Sequence, residues 1–265
     1  MSAATIDLHA HAGANVAGTP REQATEPLLR LEGLNKRFGG LVVTKDISLS
    51  VQHGQIFGII GPNGAGKSTL FNEISGYIPP DSGRIMFEGA DITAKPPHAL
   101  CMLGIGRTFQ IVKPFPSRTV LDNVVVGAFA RTGNRVEAIE NAEKIVHELG
   151  LGRRIGQIAK NLSIVDRKRL ELAKALATRP KLLLLDEILA GLTPSEVEEA
   201  ITLVKTIRDR GVTIVMIEHV MREVMALCEH VLVINYGEKI AEGTPAEVIS
   251  HPKVISAYLG DDHAA

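Results

Sequence analysis

The run Gly61-Pro62-Asn63-Gly64-Ala65-Gly66-Lys67-Ser68-Thr69 has the residue types and spacing to hold a polyphosphate: two glycines flanking four residues, then a lysine and a hydroxyl. Glycine lets successive backbone N–H groups turn inward on an anion, and the N-terminus of a following helix adds partial positive charge. Lys67 has the reach for β- and γ-phosphates, and the Ser68 hydroxyl suits Mg2+. The motif requires a strand before it and a helix after it. Ile56-Phe57-Gly58-Ile59-Ile60 reads as that strand and Leu70-Phe71-Asn72-Glu73-Ile74 as that helix. A glycine-rich turn carrying an ordinary surface lysine would need neither flank.

A second set of candidates ends another apolar run. Lys181-Leu182-Leu183-Leu184-Leu185-Asp186-Glu187 reads as a buried central strand with two acids at its carboxyl end, where open α/β sheets bind ligands. Asp186 is placed to hold Mg2+, directly or through water, and Glu187 to polarise an attacking water. Acids also end strands simply to be solvated; a phosphate loop in the same chain is what gives this pair a chemical reading. His219 follows the strand-like Thr213-Ile214-Val215-Met216-Ile217 and Glu218. A lone histidine is most often structural, but one at that sheet edge can donate a hydrogen bond to a γ-phosphate and orient the water.

Such residues need a sheet to align them. Strand patterns fall at 28–34, 46–51, 84–89, 182–185, 212–217 and 231–234, and helical spacing at 120–129, 136–149 and 194–208. Alternating strands and helices predict an α/β fold with a mostly parallel sheet covered by helices. The mostly helical stretch of about 96–178 reads as a subdomain inserted into that core. Residues 1–26 lack periodicity and read as a disordered tail, leaving 27–265 as the folded domain. His9 and His11, in the tail, make a weak metal site at best.

Composition narrows the classes. A net charge of −1 over 265 residues argues against nucleic acid as a partner, and the absence of tryptophan with 4% aromatics against a base-stacking surface. No apolar run reaches the roughly 18 residues of a membrane span, and the N-terminus has no apolar signal core. Cys101 and Cys228 sit among apolar neighbours and read as small core hydrophobes in a cytoplasmic protein.

The order of these motifs resembles the nucleotide-binding subunit of ATP-binding-cassette transporters, over about residues 28 to 260. The resemblance implies a P-loop ATPase core with an antiparallel β portion near the N-terminus, and ATP and Mg2+ as cofactors. It matches Phe38, in Lys36-Arg37-Phe38-Gly39-Gly40, to an aromatic stacked on adenine. It matches Gln110, in Arg107-Thr108-Phe109-Gln110, to a glutamine that reaches Mg2+ and the water and couples to the membrane subunit. Ala190-Gly191-Leu192-Thr193-Pro194 matches the dimer-contact loop and His219 the switch histidine. Taken alone, Phe38 would read as a packed core aromatic and Gln110 as a solvated loop amide. Finer features resemble the branched-chain amino-acid uptake branch: Gly104 to Gln110, Thr119 to Val124, and the ending from Asn235-Tyr236-Gly237 to Ala257-Tyr258-Leu259-Gly260. That implies a peripheral subunit on the cytoplasmic membrane face. Its partners would be a second ATPase subunit, identical or not, two membrane permease subunits and, indirectly, an extracytoplasmic solute-binding protein.

The chain departs from the family at its signature. Where Leu-Ser-Gly-Gly-Gln is usual, it has Leu162-Ser163-Ile164-Val165-Asp166. The resemblance assigns Ser163 and its neighbours to the γ-phosphate held by the opposite subunit. Glycine permits close approach there, whereas β-branched Ile164 and Val165 resist unusual backbone angles. Asp166 suits a helix N-terminus but brings negative charge. Arg167, Lys168 and Arg169 either offset that charge or form a solvated helix face. Asp186-Glu187-Ile188 has isoleucine where proline is usual. An ATP clamp with little turnover is therefore the alternative to a transport ATPase, and the intact Glu187 and His219 weigh against it. A cassette protein of repair or translation would carry two cassettes or a long coiled coil. A small-molecule kinase would need neither Gln110 nor the signature-like helix.

Overall fold

The computed structural model of the chain describes residues 26–110 and 112–259; the tail expected at 1–26, with both its histidines, lies outside the described residues except for Glu26. Strands β1 (Leu29–Phe38) and β2 (Leu41–Val51) form a hairpin, and β3 (Ile56–Ile60) leads through the glycine-rich loop into α1 (Lys67–Ile74). A second hairpin, β4 (Ser82–Phe87) and β5 (Ala90–Asp91), precedes α2 (Pro97–Leu103) and β6 (Ile105–Arg107). Three helices follow: α3 (Val120–Ala128), α4 (Arg135–Glu148) and α5 (Ile164–Ala177). The chain then alternates through β7 (Leu182–Asp186), α6 (Pro194–Asp209), β8 (Thr213–Ile217), α7 (Met221–Leu227) and β9 (His230–Asn235). It ends in β10 (Glu238–Gly243), α8 (Pro245–Ile249) and α9 (Pro252–Leu259).

One sheet is antiparallel, in the order β2-β1-β4-β5; the other has six strands in the order β10-β9-β3-β8-β7-β6. Within the six, β9, β3, β8, β7 and β6 run parallel and only β10 is antiparallel. Register then does the positioning. Ile59 of β3 pairs with Ile217 of β8, and Ile217 pairs in turn with Asp186 of β7. The glycine-rich loop, the two acids and His219 therefore leave the sheet along a single edge.

The four leucines of β7 show why the sheet is stable. Leu183 and Leu185 join the core under the helical half of the molecule, while Leu182 and Leu184 join the core shared with α1 and the antiparallel sheet. All four are fully buried, because a strand alternates its side chains between two covered faces. Each such burial contributes about 2 kcal/mol. Capping boxes set helix starts: Thr119 with Asp122 begins α3, and Thr193 with Glu196, followed by Pro194, begins α6.

Several expectations change. The stretch 96–178 carries helices joined by loops, but it also carries β6, which pairs with β7 and so belongs to the six-stranded sheet. Three residues are too few to show a period, and only the neighbouring strand makes them one. The first two strands run longer than 28–34 and 46–51, since their hairpin tip (Phe38 paired with Leu41) is solvated and carries no alternation. Strand β10 was not anticipated, being polar and exposed along much of its length. Cys228 is buried as expected, which pushes its thiol up to about 12, but Cys101 is only half-buried; both are free thiols.

Candidate active site

The glycine-rich loop is wedged between two neighbouring carbonyls. A Cβ on Gly61 would lie 2.0 Å from the carbonyl oxygen of Ile234 at the end of β9, and one on Gly66 would lie 2.4 Å from that of Val43 in β2. Gly66 also has φ 107°, open to glycine at little cost. The Gly237 N–H, in the turn after β9, donates to the Ala65 carbonyl at 3.0 Å. Helix α1 begins at Gly66 with no side-chain cap and no acid in its first turn. Its leading amides are thereby left for an anion. Lys67 is buried and arches over the loop, donating to the carbonyls of Gly61 (2.8 Å) and Pro62 (2.9 Å). Burial lowers its pKa, opposed by the negative charges of Glu187 and Asp186.

Asp186 closes β7 and is buried, which raises its carboxyl above the ordinary range against the opposing pull of Arg107. The Arg107 guanidinium reaches Asp186 Oδ2 at 3.2 Å across 79 residues of chain. Its other terminal nitrogen donates to Asn72 Oδ1 and Ser75 Oγ, both at 2.7 Å. Glu187, the next residue after Asp186, has φ 49°, a left-handed conformation costing about 1 kcal/mol or more outside glycine. Two contacts hold it there. Its N–H donates to the Ile217 carbonyl at 3.0 Å, and Lys168 Nζ, on α5, donates to the carbonyls of Glu187 (3.3 Å), Ile188 (3.0 Å) and Ala190 (2.5 Å).

Around the Glu187 carboxylate, Gln110 Nε2 donates to Oε2 at 2.7 Å and His219 Nδ1 lies 3.9 Å from Oε1. The sequence-derived group of Gln110, Asp186, Glu187 and His219 thus gathers at one sheet edge beside Lys67. Ser68 stands in the first turn of α1, on the same loop. A hydroxyl, an amide oxygen and a carboxylate are hard oxygen donors, the set that Mg2+ takes together with phosphate oxygens. Among the described residues no three His, Cys, Asp or Glu side chains cluster as a self-contained metal site would need. The donors present fit a cation that arrives with its nucleotide.

Phe38 and Ser163 stand apart from this group. Phe38 is 48% exposed on its hairpin, not packed in a core, with Lys36 Nζ 5.7 Å over its ring. An exposed aromatic ring is what a flat base would use. Ser163 caps α5: its Oγ accepts from the Asp166 N–H at 3.1 Å and donates to Asp166 Oδ2 at 2.7 Å. Ile164 is 67% exposed and Val165 continues the regular helix. The expectation that the three following cations offset Asp166 does not hold. That charge is met by Arg154, whose Nε lies 3.0 Å from Oδ2. Nor are the three simply solvated. Arg167 donates to the Lys160 carbonyl, Lys168 to the Glu187 loop and Arg169 to Glu199.

Sequence reasoning missed Arg107, Arg154 and Lys168 in these roles, and it missed Glu218. That side chain is fully buried; its Oε1 accepts from the Leu189 N–H at 3.3 Å, while its Oε2 and that of Glu223 have no partner. Burial pushes the Glu218 carboxyl well up, and Glu223 adds to the rise. The only sequence signal was its place one residue before His219.

Residues 44–190 match the ABC transporter family, and residues 238–264 match the Branched-chain amino acid ATP-binding cassette transporter family. The high-affinity branched-chain amino acid transport ATP-binding protein BraF of Pseudomonas aeruginosa is 37% identical over 255 residues, spanning 89% of this chain and 99% of BraF. The lipopolysaccharide export system ATP-binding protein LptB of Acidithiobacillus ferridurans is 36% identical over 234 residues, spanning 88% and 97%. Among solved structures, the ADP conformation of MJ1267, an ATP-binding cassette of an ABC transporter, superposes with a TM-score of 0.81 at 35% identity, covering 89% of this chain and all of MJ1267. Phosphate loop, acid-ended strand, parallel sheet and near full-length identity agree, and the chain belongs to the ABC transporter family as one of its ATP-binding cassettes.

Proposed function

We propose that this chain is the ATP-hydrolysing motor subunit of an importer for branched-chain amino acids or related amides and small amphipathic solutes. The observation that carries the reading is the Glu187 carboxylate held between Gln110 (2.7 Å) and His219 (3.9 Å), beside a phosphate loop with its helix start uncapped. Glu187 polarises the attacking water, His219 donates to the γ-phosphate, and Gln110 reaches water and metal. Ser68, Asp186 and Gln110 hold Mg2+. The loop from Gly61 to Thr69 cradles the phosphates and Phe38 stacks on adenine. Positioning and electrostatics supply most of the rate in phosphoryl transfer.

The solute rests on the C-terminal match at 238–264 and on the name of BraF. LptB, at nearly the same identity, is named for lipopolysaccharide export, so the cassette core by itself does not select a solute. A second ATPase subunit closes head to tail on this one, sandwiching each nucleotide between one chain's loop and the other's signature. Two permease subunits dock near Gln110 and the helices that follow it, placing the chain on the cytoplasmic face of the membrane. A solute-binding protein acts on the far side. In keeping with this, no helix among the described residues is long and apolar enough to cross a membrane.

The test is Mg·ATP turnover of the chain, alone and in its membrane complex, beside Lys67→Ala and Glu187→Gln. Loss of about 100-fold or more from Glu187→Gln, with nucleotide binding retained, is expected. Undiminished turnover in Glu187→Gln would overturn the reading.

A further inference from the structure

Lys168 is half-buried on α5, and the hydrogen bonds of its ammonium go to backbone carbonyls of one loop: Glu187 at 3.3 Å, Ile188 at 3.0 Å and Ala190 at 2.5 Å. An ammonium has three donors, so this loop takes all of them. Burial lowers the Lys168 pKa, opposed by the negative charges of Glu218, Glu187 and Glu223. Taking an ammonium out of water is costly unless strong acceptors replace the water. A lysine that served only as a solvated helix face would keep its head outside.

The same loop is gripped by its amides. Glu218, fully buried just after β8, accepts from the Leu189 N–H at 3.3 Å, and the Ile217 carbonyl accepts from the Glu187 N–H at 3.0 Å. The bonds within the loop are long: Ala190 N–H to the Glu187 carbonyl at 3.4 Å and Leu192 N–H to the Leu189 carbonyl at 3.3 Å. Isoleucine at 188 brings none of the fixed φ that a proline would supply. The shape of residues 187–190 therefore depends on groups outside them, an ammonium drawing the carbonyls and a carboxyl oxygen drawing an amide. The shape they hold is one that Glu187 does not favour, at φ 49°, and in it the carboxylate lies against Gln110 at 2.7 Å and near His219 at 3.9 Å.

We propose that Lys168 is a positioning residue for the hydrolytic step: with Glu218 it clamps the backbone of residues 187–190 and so aims the Glu187 carboxylate at the attacking water. The inference rests on the role proposed above for Glu187. Aim matters, because a displacement of about 1 Å costs on the order of 100-fold in rate. The phosphates are held by residues 61–69, which none of the Lys168 hydrogen bonds reaches, so nucleotide binding is spared.

The experiment measures Mg·ATP turnover of the membrane complex and the affinity of the full chain for a fluorescent ATP analogue. Turnover is divided by the titrated number of nucleotide sites, so a poorly folding variant does not mimic a slow one. Lys168→Met keeps the length and removes charge and donors; Lys168→Arg keeps a cation with donors. Lys168→Met is expected to lower kcat about 30-fold and Lys168→Arg no more than about threefold, both with affinity unchanged. In single turnovers of a Glu187→Gln background, Lys168→Met is expected to cost nothing further, because the carboxylate it aims is already gone. The other jaw is tested by Glu218→Leu, expected to lower kcat about fivefold, and by Glu218→Gln, which keeps an oxygen for the Leu189 N–H and is expected to retain turnover. An unchanged kcat in Lys168→Met overturns the proposal. So does an equal loss in affinity, or the same 30-fold factor in both backgrounds, since either marks a merely structural lysine. An unchanged kcat in Glu218→Leu overturns the two-sided clamp. Glu187→Gln alone separates the two levels: if it leaves turnover intact, the reading of Glu187 itself fails, whatever Lys168 does.

Discussion

Two helix starts in this protein treat the same physical resource in opposite ways. Helix α1 begins at Gly66 with no side-chain cap and no first-turn acid, so its amides and partial positive charge face outward unclaimed. Helix α5 begins at Ser163, whose hydroxyl both accepts from and donates to Asp166, with Arg154 paired to the same carboxylate. An N-terminal dipole already met by an acid has little left for a phosphate. The first arrangement is built to receive an anion, and the second is built to start a stable helix. On our reading of a two-subunit sandwich, this chain brings a competent phosphate loop to its own nucleotide and a weakened signature to its partner's.

The largest expected effect tests that inequality directly. In a complex with a partner whose signature is standard, Glu187→Gln in this chain should lower turnover about 100-fold or more, and the equivalent change in the partner by much less. Equal losses would erase the contrast. Next comes the loop. Gly66→Ala places a methyl 2.4 Å from the Val43 carbonyl at a positive φ, so ATP binding should fall by at least tenfold and stability by about 2 kcal/mol, read by nucleotide titration and denaturant melts.

Beneath the phosphate loop, α1 carries Glu73, fully buried against Thr44, with its carboxyl raised to about 7 chiefly by burial. A raised carboxyl binds its proton more tightly folded than unfolded, so stability falls as pH rises from about 4.5 to about 7 and stays lower above. Glu73→Gln should remove that slope and add about 2 kcal/mol at pH 8, measured by denaturation across pH. A slope that survives the substitution would show that the α1 side does not hold this stored cost. The smallest effect belongs to the other helix. Ser163→Ala removes a cap and should cost about 1 kcal/mol, while turnover at this chain's own nucleotide stays unchanged. A large loss of turnover would restore the signature serine to a catalytic part.

How much of this was legible in sequence differs by region. The phosphate loop, β3 and β7 were legible because their signals are local: fixed glycine spacing, and apolar runs of strand length. Glu187 and His219 were legible because each ends such a run. Arg107, Arg154, Lys168 and Glu218 were not, because each partner is distant in the chain. Arg107 meets Asp186 across 79 residues and Lys168 meets the Ile188 carbonyl across 20. Strand β6 was hidden for the same reason, being a strand only beside β7.

By itself, the sequence determined a nucleotide-binding α/β protein. A glycine that must leave room for a phosphate, or a leucine run that must be buried, is specified by its own neighbours. Only the tertiary structure decided which helix N-terminus stays open and which is closed by its own acid. It also decided that Asp186 pairs with Arg107, and that Glu187 is held in a left-handed turn by Lys168 of the signature helix. The physical reason is range. Backbone preference and hydrophobic period act over a few residues, whereas an ion pair or a capped carbonyl needs two segments brought within about 3 Å, and folding alone does that.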